Sequence, residues 1–76
     1  MIEQLLSLNV RGLRDSKKRR ELFRWLKHFH NGNKSIIFLQ ETHATELDKH
    51  IWEKEWGSTV ILSDYNTNSR GVAILL

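Results

Sequence analysis

The feature that most restricts this chain is Ile36-Ile37-Phe38-Leu39, an unbroken apolar run that ends on Gln40-Glu41-Thr42. A half-exposed strand alternates its apolar positions, whereas a short continuous run rich in Ile suits a strand covered on both faces, as the central strands of α/β proteins are. Such a strand needs neighbours and a covering layer, and the flanking sequence supplies candidates for both. Glu3 to Val10 is Leu-rich, with Leu5, Leu6 and Leu8, and breaks at Gly12, which predicts a short strand ending near Asn9. Between the two strands, Leu22, Leu26 and Phe29 recur at helical spacing with Phe23 and His30 beside them. Asn31-Gly32 then supplies a stop, which predicts a helix over residues 16–30.

After the central run, Thr45-Glu46-Leu47-Asp48 has the form of a capping box, with Asp48 in place of the usual Glu or Gln. It predicts a second helix that runs to Trp56, turns Leu47, Ile51 and Trp52 inward, and ends at Gly57. Thr59 to Leu62 is a short strand, residues 64–69 form a polar turn-rich loop, and Gly71 to Leu76 is a last strand. The order β-α-β-α-β-β is an α/β plan. Because the sequence stops inside Val72-Ala73-Ile74-Leu75-Leu76, a strand with nothing to cover its edge, the chain is expected to be a truncated piece of a larger domain. The strands Ile36 to Leu39 and Val72 to Leu76 are then expected to lack partners and to drive aggregation or a molten state.

With 76 residues the chain has room for one small domain. Cys is absent, which excludes disulfides and thiolate metal sites and suits a reducing intracellular setting. No run approaches the roughly 20 apolar residues of a membrane span, so no membrane partner is expected. Asn33-Lys34-Ser35 fits the glycosylation pattern, which matters only in the secretory pathway.

Charge is unevenly spread. The net value is +3, yet residues 11–34 carry Arg11, Arg14, Lys17, Lys18, Arg19, Arg20, Arg24, Lys27 and Lys34 against Asp15 and Glu21. Two readings fit equally well: a face for a polyanion, or a solvated basic helix. Lys17-Lys18-Arg19-Arg20 opens the helix, where cations oppose the macrodipole, so a phosphate backbone, a nuclear localisation signal and a plain solvated turn all remain open.

A β-α-β unit with parallel neighbouring strands places their carboxyl ends about 4.8 Å apart. Asn9 closes one strand and Glu41 the other, so both project toward the crevice where open α/β sheets bind ligands. A carboxylate beside an amide oxygen suits a hard cation such as Mg²⁺. The bland alternative is that strands end on polar residues because the chain turns toward water.

Leu8-Asn9-Val10-Arg11-Gly12-Leu13, a helix, Ile37-Phe38-Leu39-Gln40-Glu41-Thr42-His43 and Ser69-Arg70-Gly71-Val72-Ala73-Ile74-Leu75 together resemble the first part of the apurinic-endonuclease-like domain of non-LTR (LINE-type) retrotransposons, within the exonuclease-endonuclease-phosphatase superfamily. The resemblance implies a four-layered α/β sandwich cut short, with Glu41 as the metal-binding glutamate, Asn9 as the active-site asparagine and Mg²⁺ (or Mn²⁺) as cofactor. It implies DNA as substrate, no small-molecule cofactor, a reverse transcriptase domain elsewhere in the protein, and action in the nucleus. Where the wider superfamily often carries an Asp two positions after the asparagine, this chain has Arg11, which cannot bind metal but suits a phosphate. The family completes its site with a downstream Tyr, a Gly-Asp-x-Asn segment and an Asp-His pair, none of which occurs in these residues; Tyr65 does not match the family's catalytic Tyr.

Arg11, Arg14, Lys17 and Lys18 are the candidate nucleic-acid contacts, and Gln40 and His43 the candidates for supporting the metal ligand from behind. His28 and His30 suit the helix C-terminus, and His50 a surface. Trp25, Trp52 and Trp56 are read as packing residues before base-stacking platforms. The leading reading is the opening part of a DNA-nicking enzyme, inactive alone. Its rivals are a non-catalytic basic module that binds nucleic acid through residues 11–34, and a decayed copy.

Overall fold

The computed structural model describes residues 4–30, 35–63 and 70–76. Strand β1 is Gln4–Asn9, helix α1 Ser16–His30, strand β2 Ser35–Gln40, helix α2 Lys49–Trp56, strand β3 Val60–Ser63 and strand β4 Val72–Leu75. The predicted order of elements is the observed one. The polar loop expected over residues 64–69 lies outside the described residues.

The strands form one mixed sheet in the order β1-β2-β4-β3. β1 and β2 run parallel with Asn9 beside Gln40, while β4 runs antiparallel to both β2 and β3. This arrangement corrects the expectation that Val72 to Leu76 lacks partners. β4 is an interior strand with a ladder on each side, β2 is likewise flanked by β1 and β4, and the edges are β1 and β3.

One face of the sheet is dry. Ile37, Leu39, Val60, Leu62, Ala73 and Leu75 are buried with Phe23 and Leu26 of α1 and Trp52 and Trp56 of α2 in a single core. Phe23 meets both indoles edge-on, at 5.8 Å from each ring centre, the geometry that aligns ring edges with π faces. The Trp56 indole N–H also donates to the Leu76 carbonyl at 3.0 Å, tying α2 to the strand it covers. On the other face the alternate residues Leu5, Phe38, Ile61 and Val72 are exposed. A strand pattern read from sequence as buried on both faces is therefore buried on one among the described residues.

The inward residues of α2 differ from the expectation. Leu47 is 90% exposed and Ile51 52% exposed, whereas Trp52 and Trp56 are buried. The element opens as a 3₁₀ turn over Glu46–Asp48, in which side chains repeat every three residues, and only then becomes α-helical, so the apolar stripe shifts to the pair at i and i+4. The capping contact itself is present, since the Thr45 N–H donates to Asp48 Oδ2 at 2.9 Å. Gly57 ends the helix at φ 88°, a left-handed cap that favours glycine.

Arg19 also departs from its expected place in a solvated basic run. It is buried, and its guanidinium donates to both oxygens of Glu55, at 2.6 and 3.2 Å, and to the Leu13 carbonyl at 3.0 Å. Lying 5.7 Å from the Trp52 ring centre, it clamps α1 to α2 rather than facing a polyanion.

Candidate active site

Parallel pairing of β1 and β2 brings their carboxyl ends together, and the chain continues the contact past the strands. Val10 N–H donates to the Gln40 carbonyl at 2.9 Å, Gly12 to Glu41 at 2.6 Å and Leu13 to Thr42 at 2.9 Å. On the other side of β2 the register slips. Gln40 stands opposite Val72, but Thr42 N–H reaches the Gly71 carbonyl at 3.1 Å and His43 N–H the Arg70 carbonyl at 2.8 Å, each one residue out of step. Glu41 is the extra residue. A bulge of this kind turns its side chain out of the regular pleat and is common beside active sites.

Backbone strain gathers at the same place. Arg11, Glu41 and His43 have φ of 51°, 57° and 58°, left-handed values that L side chains adopt at a cost of order 1–3 kcal/mol each. Part of it is compensated locally: Asn9 Oδ1 accepts the Arg11 N–H at 3.1 Å, an Asx turn that stabilises the reversal after β1. Gly12, at φ 92°, leaves the room in which the His43 ring sits, with Nδ1 3.4 Å from where a Cβ would stand.

The Asn9 amide nitrogen donates to Glu41 Oε2, and Arg70 Nη1 donates to Glu41 Oε1 at 3.0 Å. The Asn9 hydrogen bond first and the Arg70 hydrogen bond second hold the Glu41 carboxyl below the usual carboxylate range; desolvation opposes them, and the nearby Arg70 charge adds to the lowering. The carboxylate thus stays ionised to lower pH than an ordinary Glu.

The other candidates fall as follows. Gln40 donates to Ser7 Oγ at 2.9 Å on the open face and so faces away from the dry core, in a groove of about 770 Å³ that also borders Glu41, Arg70 and Phe38. His43 joins the site through its backbone, its N–H donating to the Arg70 carbonyl, and through its ring, which lies against Gly12. Arg11, Arg14 and Lys17 are exposed around the end of β1 and the start of α1, where Asp15 Oδ1 caps the Lys17 N–H at 3.0 Å. Lys18 turns back, its Nζ donating to the Val10 carbonyl at 2.7 Å, and braces the loop after β1. His28 and His50 are exposed, as is Trp25, whose ring stacks on Phe29.

Sequence reasoning gave Arg70 no role. The signal was present only as an Arg before the Gly of the last strand; what makes it part of the site is that β4 runs antiparallel to β2, so its first residues land at the end where β2 finishes.

Among the described residues no group of three His, Asp or Glu side chains converges. A hard cation taking one carboxylate and completing its shell with water and phosphate oxygens fits this donor set, because Mg²⁺ commonly uses one or two carboxylates and keeps several waters. No solved structure matches the chain. Comparison of the sequence finds a family pattern matched across residues 6–76, a stretch that includes both parallel strands and their carboxyl ends: the chain belongs to the Endonuclease/Exonuclease/phosphatase family of hydrolases.

Proposed function

We propose that the site is the metal-binding end of a Mg²⁺- or Mn²⁺-dependent phosphodiesterase that nicks DNA, of the kind found in non-LTR retrotransposons, and that these residues form the first part of its nuclease domain. The observation that carries this reading is the Glu41 carboxylate, presented on a bulge at the ends of two parallel strands and held between Asn9 and Arg70. A divalent cation bound there supplies stabilisation of the charge that develops on a phosphoryl oxygen.

Glu41 is the ligand in this proposal. Asn9, expected to ligate with it, donates its amide N–H to the carboxylate and so orients it, while its Oδ1, which accepts the Arg11 N–H, keeps a second lone pair for the cation. Arg11, Arg14 and Lys17, exposed around the same strand end, supply cations for the phosphate backbone on either side of the scissile bond. The exposed row Leu5, Phe38, Ile61 and Val72 is the face on which the second sheet of a four-layered sandwich packs. Reverse transcription by a domain elsewhere in the protein, at the nick and in the nucleus, completes the proposal.

Plasmid nicking tests it. With Mg²⁺ the 76-residue chain is expected to leave supercoiled DNA intact, whereas a chain extended through a Gly-Asp-x-Asn segment and an Asp-His pair is expected to nick it. Glu41→Ala abolishes that nicking; an extended chain that nicks as well after the substitution removes Glu41 from the reaction. Salt-sensitive DNA binding without nicking by the extended chain favours the basic-module reading instead.

A further inference from the structure

We propose that Arg70 is a positioning residue that gates the site: its guanidinium holds the Glu41 carboxylate in place and yields it when a divalent cation arrives. The inference rests on the reading of Glu41 as a metal ligand, and deepens it by naming what competes for that ligand.

Three observations support it. Glu41 and Arg70 form an ion pair at 3.0 Å, so the carboxylate is already neutralised before any cation reaches it. The Arg70 backbone is fixed, its carbonyl accepting the His43 N–H and the next residue's carbonyl accepting the Thr42 N–H. Its side chain, by contrast, is 71% exposed, while that of Glu41 is 29% exposed. A long side chain on a pinned backbone, held at its tip among the described residues by one exposed contact, swings into water without disturbing the strand; Asn9, on the far side of the carboxylate, is neutral and has no cause to leave. A divalent cation and a guanidinium repel each other across one carboxylate, so binding of the first displaces the second. The guanidinium remains beside the site, where its planar fork suits a phosphate oxygen pair.

The test is Mn²⁺ binding by the 76-residue chain in dilute solution, read from the electron paramagnetic resonance signal of free Mn²⁺. Arg70→Gln is expected to bind Mn²⁺ roughly two- to fivefold more tightly than wild type, the range that one exposed ion pair is worth. Arg70→Lys, which keeps the competing cation, returns affinity to the wild-type value, an outcome that a merely structural role for Arg70 does not produce. Glu41→Gln loses the binding. Loss with Glu41→Gln combined with unchanged or weaker binding by Arg70→Gln overturns the gate and leaves Glu41 as ligand. Binding by Glu41→Gln no weaker than wild type overturns the ligand assignment and the gate with it.

Discussion

Replacing Glu55 with Gln removes the counter-charge of the most buried cation in the described structure. The Arg19 and Glu55 side chains are only 9% and 19% exposed, and the pair is bidentate. Removing one partner of a buried pair costs about 3–5 kcal/mol, because the remaining charge is stranded away from water. Two features place this case at the lower end. Arg19 keeps the Leu13 and Arg14 carbonyls and the Trp52 face, and Gln keeps one acceptor for one of the two N–H groups. The expected loss is therefore about 3 kcal/mol, against roughly 4–11 kcal/mol of total stability for a chain of this size. In melting temperature this is a fall of about 12–24 °C. Urea denaturation followed by Trp fluorescence measures it directly, since Trp52 lies under the guanidinium. The double variant Arg19→Met, Glu55→Gln removes the stranded charge and is expected to recover part of the loss. A loss below about 1 kcal/mol for Glu55→Gln alone, the size of an exposed pair, refutes the burial reasoning.

Glu41 has a depressed pKa in the fold, so the stability it contributes is present above its unfolded value, near 4.5, and is lost as pH falls through the lower folded value. Wild type is thus expected to be more stable than Glu41→Gln at neutral pH, with the difference closing in acid; a difference that persists after Glu41 is protonated contradicts the assignment. Gly12→Ala forces a side chain into φ 92° against the His43 ring and is expected to cost about 1–2 kcal/mol in denaturant titration. Gly57→Ala, at φ 88° with no atom within 4 Å, is expected to cost less. Leu5→Lys and Ile61→Lys place charge on the open face and are expected to reduce self-association in sedimentation while leaving the circular dichroism spectrum unchanged. If self-association persists in both, the open face is not its cause.

Much of the plan was legible along the chain because it is local. The spacing of Leu22, Leu26 and Phe29 follows the helical period of 3.6, the run Ile36 to Leu39 is short, continuous and Ile-rich as a strand is, and the helix and strand they predict are those observed. Parallel pairing followed from the β-α-β order, and with it the meeting of Asn9 and Glu41. Leu47 and Ile51 were misplaced because helical phase depends on how the first turn winds, and the 3₁₀ start reset it. Spacing also placed Arg19 with its basic neighbours, since nothing near it in sequence marks it for burial.

What the sequence determined by itself was the set of elements and the two polar residues that close the parallel strands. Only the tertiary structure decided that β4 enters between β2 and β3, that Arg70 thereby reaches a carboxylate 29 residues away, that Arg19 finds Glu55 36 residues away, and that Glu41 stands out on a bulge. The physical reason is one of range. Periodicity reports on the turn or the pleat a residue occupies, whereas strand order, register and helix docking depend on which distant surfaces bury the most apolar area together, and no local pattern encodes that choice.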